Sequence, residues 1–220
     1  MDISEAIDQR KSIRAFKPDP VSKDTLKKIL EEATRAPSWA NTQPWEFAIA
    51  TGKPLEEIRA AFLEKFLASP NPDVPRPPEF PRRYADRIRV LDKQNRLVTP
   101  KDWESRRIQN FKHYGAPAVI YLLTDRDFYY QSKGLNVWAL YDCGAVAANI
   151  MLLAAKHGLG TVAQAQAVVF PDIVRKVLAI PESKILVLGI AIGFPDWGSP
   201  LNQFRTEREP LESISTWHGF

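Results

Sequence analysis

Cysteine is almost missing from this chain: Cys143 stands alone among 220 residues. One cysteine excludes an internal disulfide and any zinc or iron–sulfur site built from cysteines. Long apolar runs are missing too. The longest, Ile185 to Ile192, is interrupted by Gly189 and is far too short to span a bilayer. Histidine is scarce. His113, His157 and His218 are scattered, and none pairs with an acidic neighbour at metal-ligand spacing, so no metal is expected. No G-x-S-x-G elbow is present, which removes the commonest serine-hydrolase signature. The N-terminus, Met1-Asp2-Ile3-Ser4-Glu5, has neither the basic nor the apolar region of a signal peptide. A cytoplasmic protein with no membrane partner is the simplest expectation.

What is present is ordinary in amount and uneven in placement. Hydrophobic content of 45% and charged content of 25% suit a globular protein with a sizeable core. Net charge is +4, yet residues 64–112 alone hold 12 Lys/Arg against 7 Asp/Glu. The same segment carries seven of the 18 prolines. Proline breaks up the cations and no nucleic-acid motif accompanies them, so a nucleic-acid partner is not expected. A basic surface that draws in anionic cofactors is the better reading.

The chain reads as a single domain over residues 1–220, with alternating helix and strand signals. Asp2 or Ser4 caps a short first helix whose Ile3, Ala6 and Ile7 face inward. Ser22 caps a second, running to about Arg35, with Leu26, Ile29, Leu30 and Ala33 at helical spacing. Trp45 to Ala50 is a strand. Pro54 starts a helix to about Phe66. A short helix around Tyr84–Arg96 follows the proline-rich stretch, and the whole of 64–112 is expected to be an excursion covering an active site. Ala118–Leu123 is a buried strand, Val137–His157 a long helix, Thr161–Val169 a short strand, Pro171–Leu178 a helix and Ile185–Ile192 a strand. From Gly198 onward the chain is an extended arm, polar with isolated aromatics, which needs another surface to lie on.

Three segments concentrate binding chemistry. Arg10-Lys11-Ser12-Ile13-Arg14 places three cations and a hydroxyl at the end of the first helix. Arg35-Ala36-Pro37-Ser38-Trp39-Ala40-Asn41-Thr42-Gln43-Pro44-Trp45 is a loop rich in hydrogen-bonding groups that opens into a strand. Arg205 and Arg208 lie near the far end. Such a set suits a flat, polar, phosphate-bearing cofactor, because a buried phosphate needs paired cations and arginine offers bidentate geometry. Gly158-x-Gly160-x-x-Ala163 matches the loose dinucleotide fingerprint. Its context is wrong, because a helix precedes the glycines and a strand follows. The glycines end the long helix instead.

These segments together resemble the nitroreductase family of FMN-dependent oxidoreductases. The resemblance continues through Gly158-Leu159-Gly160-Thr161 and ends in Arg205-Thr206-Glu207-Arg208-Glu209-Pro210-Leu211; residues 64–112 lie outside it. It implies an α+β fold: a three-layer sandwich, with a central, mostly antiparallel sheet flanked by helices and an extended C-terminal arm exchanged in a homodimer. It implies FMN, with NADH or NADPH as electron donor and a small aromatic or quinone substrate. On this resemblance Arg10, Lys11, Ser12, Arg205 and Arg208 serve the phosphate and ribityl side. Arg14 is the cation beside the part of the ring that becomes negative on reduction. Pro37, Ser38, Trp39, Asn41 and Gln43 approach the ring from the other subunit, with Gln43 either touching flavin or ordering its own loop. Ala163, Gln164 and Ala165 run along it.

The implied reaction is hydride transfer from NAD(P)H to flavin N5 and on to a nitroaromatic or quinone, in ping-pong fashion. No residue is expected to be catalytic in its own right, since the cofactor carries the chemistry. Trp103, Trp138, Tyr129 and Tyr130 are candidate walls of an aromatic pocket. Cys143 is expected to be a buried helix residue. A reductive dehalogenase or a flavin-destroying enzyme on the same fold is an alternative. Deiodinase-like members favour His-Thr-Glu-Pro-Trp where this chain has Asn41-Thr42-Gln43-Pro44-Trp45. A flavin-binding or basic interaction protein without turnover is the alternative of another class.

Overall fold

The computed structural model describes residues 2–99, 102–131 and 134–220. The elements in chain order are α1 (Ile3–Gln9), α2 (Lys23–Ala33), β1 (Glu46–Thr51), α3 (Gly52–Glu64), α4 (Arg82–Asn95), α5 (Trp103–Phe111), β2 (Ala118–Asp125), α6 (Arg126–Tyr129), β3 (Tyr130–Gln131), β4 (Gly134–Leu135), α7 (Val137–Lys156), β5 (Gly160–Gln164), α8 (Pro171–Leu178) and β6 (Lys184–Gly193). Local chemistry sets many of the boundaries. Asp2 and Glu5 form a reciprocal capping box at α1, each side chain accepting the other's backbone N–H at 2.9 Å. Ser22 Oγ accepts the Thr25 N–H at 3.1 Å to start α2. Gly158, at φ 71°, terminates α7.

The main sheet has the order β1-β2-β6-β5, and each neighbouring pair is antiparallel. It is the middle of three layers. β2 is buried on both faces, and its side chains alternate between two cores as the pleat requires. Val119, Tyr121 and Leu123 enter the core shared with α3, α5 and α8. Ala118, Ile120 and Leu122 enter the core shared with α2 and α7. This is the α+β sandwich expected above.

Several sequence expectations need correction. The strand expected over Thr161–Val169 ends at Gln164, and Ala165–Val168 turns as a short 3-10 segment. The apolar run there reflects burial of Ala167 and Val168 in the core, not strand pairing. Ile3 and Ile7 do not face inward. They are 73% and 57% exposed, and only Ala6 of α1 is buried.

The excursion 64–112 holds two helices, α4 and α5, where one was expected. Its proline-rich part is fastened to the sheet, and Asp73 does most of the fastening. The Asp73 carboxylate pairs with Arg175 and accepts the Leu186 N–H at 2.8 Å. That N–H is free because the β2–β6 register shifts beside Leu186. The Tyr130 hydroxyl donates to the Asp73 carbonyl at 2.7 Å, and Asn71 N–H donates to the Val169 carbonyl at 3.0 Å. α4 by contrast buries no residue, and Arg87 ties it to Glu209 of the C-terminal arm at 2.8 Å.

α7 has the length and apolarity of a membrane span, with a mean hydropathy of 1.6, the one such helix among the described residues. Here one face packs on α2 and the sheet. The other leaves Val137, Trp138 and Tyr141 exposed.

Candidate cofactor site

Residues 12–16 leave α1 in extended form and run beside β5. Ile13 N–H donates to the Thr161 carbonyl at 2.9 Å, and Ser12 and Thr161 form a parallel bridge. The approach is close enough to demand glycine. A Cβ at Gly160 would stand 2.5 Å from Ile13 Cγ1 and 2.9 Å from Pro195 Cγ. So Gly158 turns the chain and Gly160 admits the N-terminal segment.

The C-terminal arm is bolted to the same segment by Asn202, which is fully buried. Its Oδ1 accepts the Arg14 N–H at 2.7 Å, and its Nδ2 donates to the carbonyls of Ala15 at 2.7 Å and Asp196 at 2.8 Å. Lys11 Nζ donates to the Asn202 carbonyl. Asn202 is a site-building residue that the sequence reading missed. A lone asparagine in an irregular arm has no periodicity to mark it. Asn202→Ala leaves three backbone groups without their partner, and the expected cost is about 3 kcal/mol. Urea denaturation of the purified variant against wild type checks this.

The result is a cleft of about 630 Å³ in which both ends of the chain meet. Arg10, Lys11, Ser12 and Arg14 line it from one side and Arg205 and Arg208 from the other, with Met151 and Leu152 of α7 at its floor. Its electrostatics are lopsided. The Arg10 guanidinium is held below its ordinary range by burial, then by the charges of Arg208 and Arg205. Lys11 is lowered by burial and by Arg205. Asp8 offsets part of this by accepting from Arg205 at 2.8 Å. Arg208 donates to neutral oxygens, Thr206 Oγ1 at 2.7 Å and the Glu207 carbonyl at 2.8 Å. Among the described residues neither Arg10 nor Arg208 forms an ion pair. The cleft therefore concentrates positive charge that a bound anion would relieve.

The other proposed residues lie elsewhere within one chain. Pro37, Trp39, Asn41 and Gln43 are exposed, Ser38 is half-buried, and none of them lines the cationic cleft. Their loop is nonetheless stiff. Trp39 N–H donates to Asp142 Oδ2 at 3.1 Å, Gln43 N–H to Ser38 Oγ at 3.0 Å, and Gln43 Nε2 to the Asn41 carbonyl at 3.3 Å. Gln43 thus orders its own loop. Ala40, Asn41 and Gln43 all have positive φ, a costly arrangement that the loop's hydrogen bonds sustain. Asp142, buried on α7, is the second anchoring residue that sequence reasoning missed.

At the end of β5, Ala163 is exposed and Gln164 is buried, and Ala165, the first residue of the 3-10 turn, is exposed. Gln164 Nε2 donates to the Asn110 carbonyl at 3.3 Å, so its Oε1 is an acceptor and faces His113 Nδ1, also at 3.3 Å. The proton of the neutral imidazole is therefore on Nδ1. Cys143 is fully buried, and its thiol is pushed up to about 12 by burial and then by Asp142. It is inert at neutral pH. The candidate aromatic walls do not line the cleft either. Trp103 stacks on Phe66 at 5.4 Å, Trp138 meets Tyr141 edge-on at 5.6 Å, and Tyr129 packs on Tyr130 at 4.6 Å.

Fold and cleft define a three-layer α+β protein with a cationic site at the edge of its sheet, built from both chain ends. The chain belongs to the nitroreductase family, whose model matches residues 7–194. A nitrobenzene nitroreductase from Ectopseudomonas oleovorans is 32% identical over 98% of this chain and 96% of its own length. A 4-nitrobenzoate reductase from Nocardioides sp. is 30% identical over 94% and 86%. The crystal structure of an FMN- and NADPH-dependent nitroreductase, NfnB from Sphigopyxis sp. strain HMH, superposes with a TM-score of 0.91 over all of both chains at 27% identity.

Proposed function

We propose that this protein is an FMN-dependent oxidoreductase that carries electrons from NADH or NADPH to nitroaromatics or quinones, working as a homodimer. The observation that carries the reading is the convergence of Arg10, Lys11, Arg205 and Arg208 on one cleft, where Arg10 and Lys11 are destabilised first by burial and then by repulsion from like charges. A phosphate monoester of about two negative charges removes that repulsion and accepts charge-assisted hydrogen bonds. The residues present fit FMN on this test.

Bound FMN would supply a ring that takes hydride from a reduced nicotinamide and passes it to an acceptor occupying the same face. The chain's part is binding and electrostatics. Arg10, Ser12 and Arg208 would hold the phosphate end, with Arg205 held in place by Asp8. Arg14, half-buried in the same cleft, would provide a cation for the reduced form. The loop at 37–43 would approach the ring in a second subunit's site, and the exposed Ala163 and Ala165 would border it. Ile3, Ile7, Trp138, Tyr141, Trp217 and Phe220 are each at least half exposed in one chain. A second copy, with the arms exchanged, would cover them.

Purified protein decides the matter. The expected outcome is a yellow dimer, bleached anaerobically by NADPH or NADH and recoloured by nitrobenzene or a quinone. Initial-rate plots at several nicotinamide concentrations are expected to be parallel. A colourless protein that takes up no FMN from solution removes the proposal, and reoxidation by a halophenol with release of halide redirects it to dehalogenation.

A further inference from the structure

The cationic cleft has a neighbour. A second cavity, of about 690 Å³, lies between α4 and the C-terminal arm. Thr206 and Arg208 line both, so the two adjoin across the arm. On the far side α4 contributes Arg83, Arg87, Leu91 and Gln94, which recur at helical spacing along one face.

Tyr84 gathers the two arginines. The guanidinium carbons of Arg83 and Arg87 lie 5.0 and 5.6 Å from the centre of its ring, and Arg83 Nη2 donates to its hydroxyl at 3.0 Å. Two like charges are thus held against one phenol. The carboxylates in the cavity wall compensate them only in part. Glu209 accepts from Arg87 Nε at 2.8 Å, with both side chains more than a third exposed. Asp86 is turned to Arg89 instead. Glu207 adjoins Arg208, which donates to its carbonyl. Among the described residues Arg83 forms no ion pair. An exposed pair such as Arg87–Glu209 is worth little, so a doubly charged anion displaces it easily. A phosphate monoester meets this geometry, because guanidinium forks one helical turn apart bind its oxygens bidentately. Leu91 adds an apolar wall on which a heterocycle can rest.

We propose that this cavity is the subsite for the 2′-phosphoadenosine end of the electron donor, held by Arg83 and Arg87, and that the protein selects NADPH over NADH for this reason. The inference rests on the function proposed above and names its donor. The FMN phosphate would fill the first cleft, so the second needs an anion from another molecule, and only the donor's 2′-phosphate separates NADPH from NADH.

The test is titration calorimetry of FMN-loaded protein with adenosine 2′,5′-bisphosphate and with adenosine 5′-monophosphate, which lacks the 2′-phosphate. Wild type is expected to bind the bisphosphate about tenfold tighter, and to show a KM for NADPH below that for NADH by a similar factor. Arg83→Ala/Arg87→Ala is expected to abolish the preference between the two nucleotides and to raise KM for NADPH about tenfold, with KM for NADH changed less than about twofold. Glu209→Gln leaves Arg87 unpaired and is expected to tighten the bisphosphate about threefold. Three results overturn the proposal. One is equal affinity for the two nucleotides in wild type, as when a second copy of this chain fills the cavity. The others are an alanine variant that keeps the preference and a Glu209→Gln protein that binds the bisphosphate more weakly. Should the alanine variant fail to fold, Arg83→Lys/Arg87→Lys keeps the charges and loses the forks. Its preference is expected to fall between wild type and none, and an undiminished preference overturns the proposal. Wild type that takes up no FMN removes the functional reading alone. The same two nucleotides titrated into that apoprotein and its alanine variant still show whether Arg83 and Arg87 bind the 2′-phosphate.

Discussion

Arg208→Ala is expected to weaken FMN binding about 100-fold, or about 2.7 kcal/mol, while leaving the apoprotein at least as stable as wild type. The two halves of this expectation share one cause. Arg208 is exposed, and its hydrogen bonds are to Thr206 and Glu207, neighbours within the arm, so its removal breaks no long-range contact. In the empty cleft its charge works against Arg10. With a phosphate bound, the same charge becomes attractive. Loss of affinity without loss of stability is thus the signature of a ligand-directed cation; a structural arginine would show the reverse. Arg10→Ala/Arg208→Ala together are expected to remove detectable binding. Fluorescence titration of FMN and thermal melts of the apoproteins measure both halves, and an Arg208→Ala protein that binds FMN like wild type would refute the assignment. Raising salt is expected to weaken wild-type binding more steeply than binding by the variant.

The second large effect is on acid stability. His113 is held at about 3 instead of its ordinary 6.5, first by burial and then by the Arg59 charge, with the Gln164 hydrogen bond working in the opposite direction. Between those two pH values the unfolded chain binds a proton that the folded chain refuses. The stability in question is fully present above pH 6.5 and is lost as pH falls toward 3, for a total of about 5 kcal/mol. His113→Asn retains a donor and tolerates the positive φ at this position. Its denaturation midpoint is expected to vary much less over the same range. If wild type and His113→Asn lose stability in parallel from pH 6.5 to 4, buried carboxylates and not this imidazole control the acid transition.

Much of the architecture was readable because its signals are local. Asp2 and Ser22 announce helix starts through hydrogen bonds within a few residues, and Pro54 marks the first turn of α3, which begins two residues earlier at Gly52. Gly158 announces a helix end in the same way. The continuous apolar run of β2 and the helical apolar periods of α3 and α7 follow from side-chain direction along one element. The cationic segments were readable as chemistry, since four arginines and a lysine need no partner in the sequence to look like an anion site. Failures have an equally plain origin. α5 was hidden behind a proline-rich stretch, and the strand expected through Val169 stopped at Gln164 because core burial and strand pairing favour the same residue types. Ile3 and Ile7 were assigned inward on periodicity, yet α1 buries only Ala6 and leaves both isoleucines exposed.

Composition and spacing were enough to mark a succession of helices and strands and cations suited to a phosphate, while the sheet flanked by helices came from the family resemblance. Only the folded molecule could say that Arg10 and Arg208 share one cleft, that buried Asn202 joins the two ends, and that Asp73 staples the excursion to β6. The difference is physical. Caps and periods are contacts between residues a turn or a pleat apart, and each residue type states its own preference there. Long-range pairing depends on how whole layers stack, and no single residue records where the stacking will bring it.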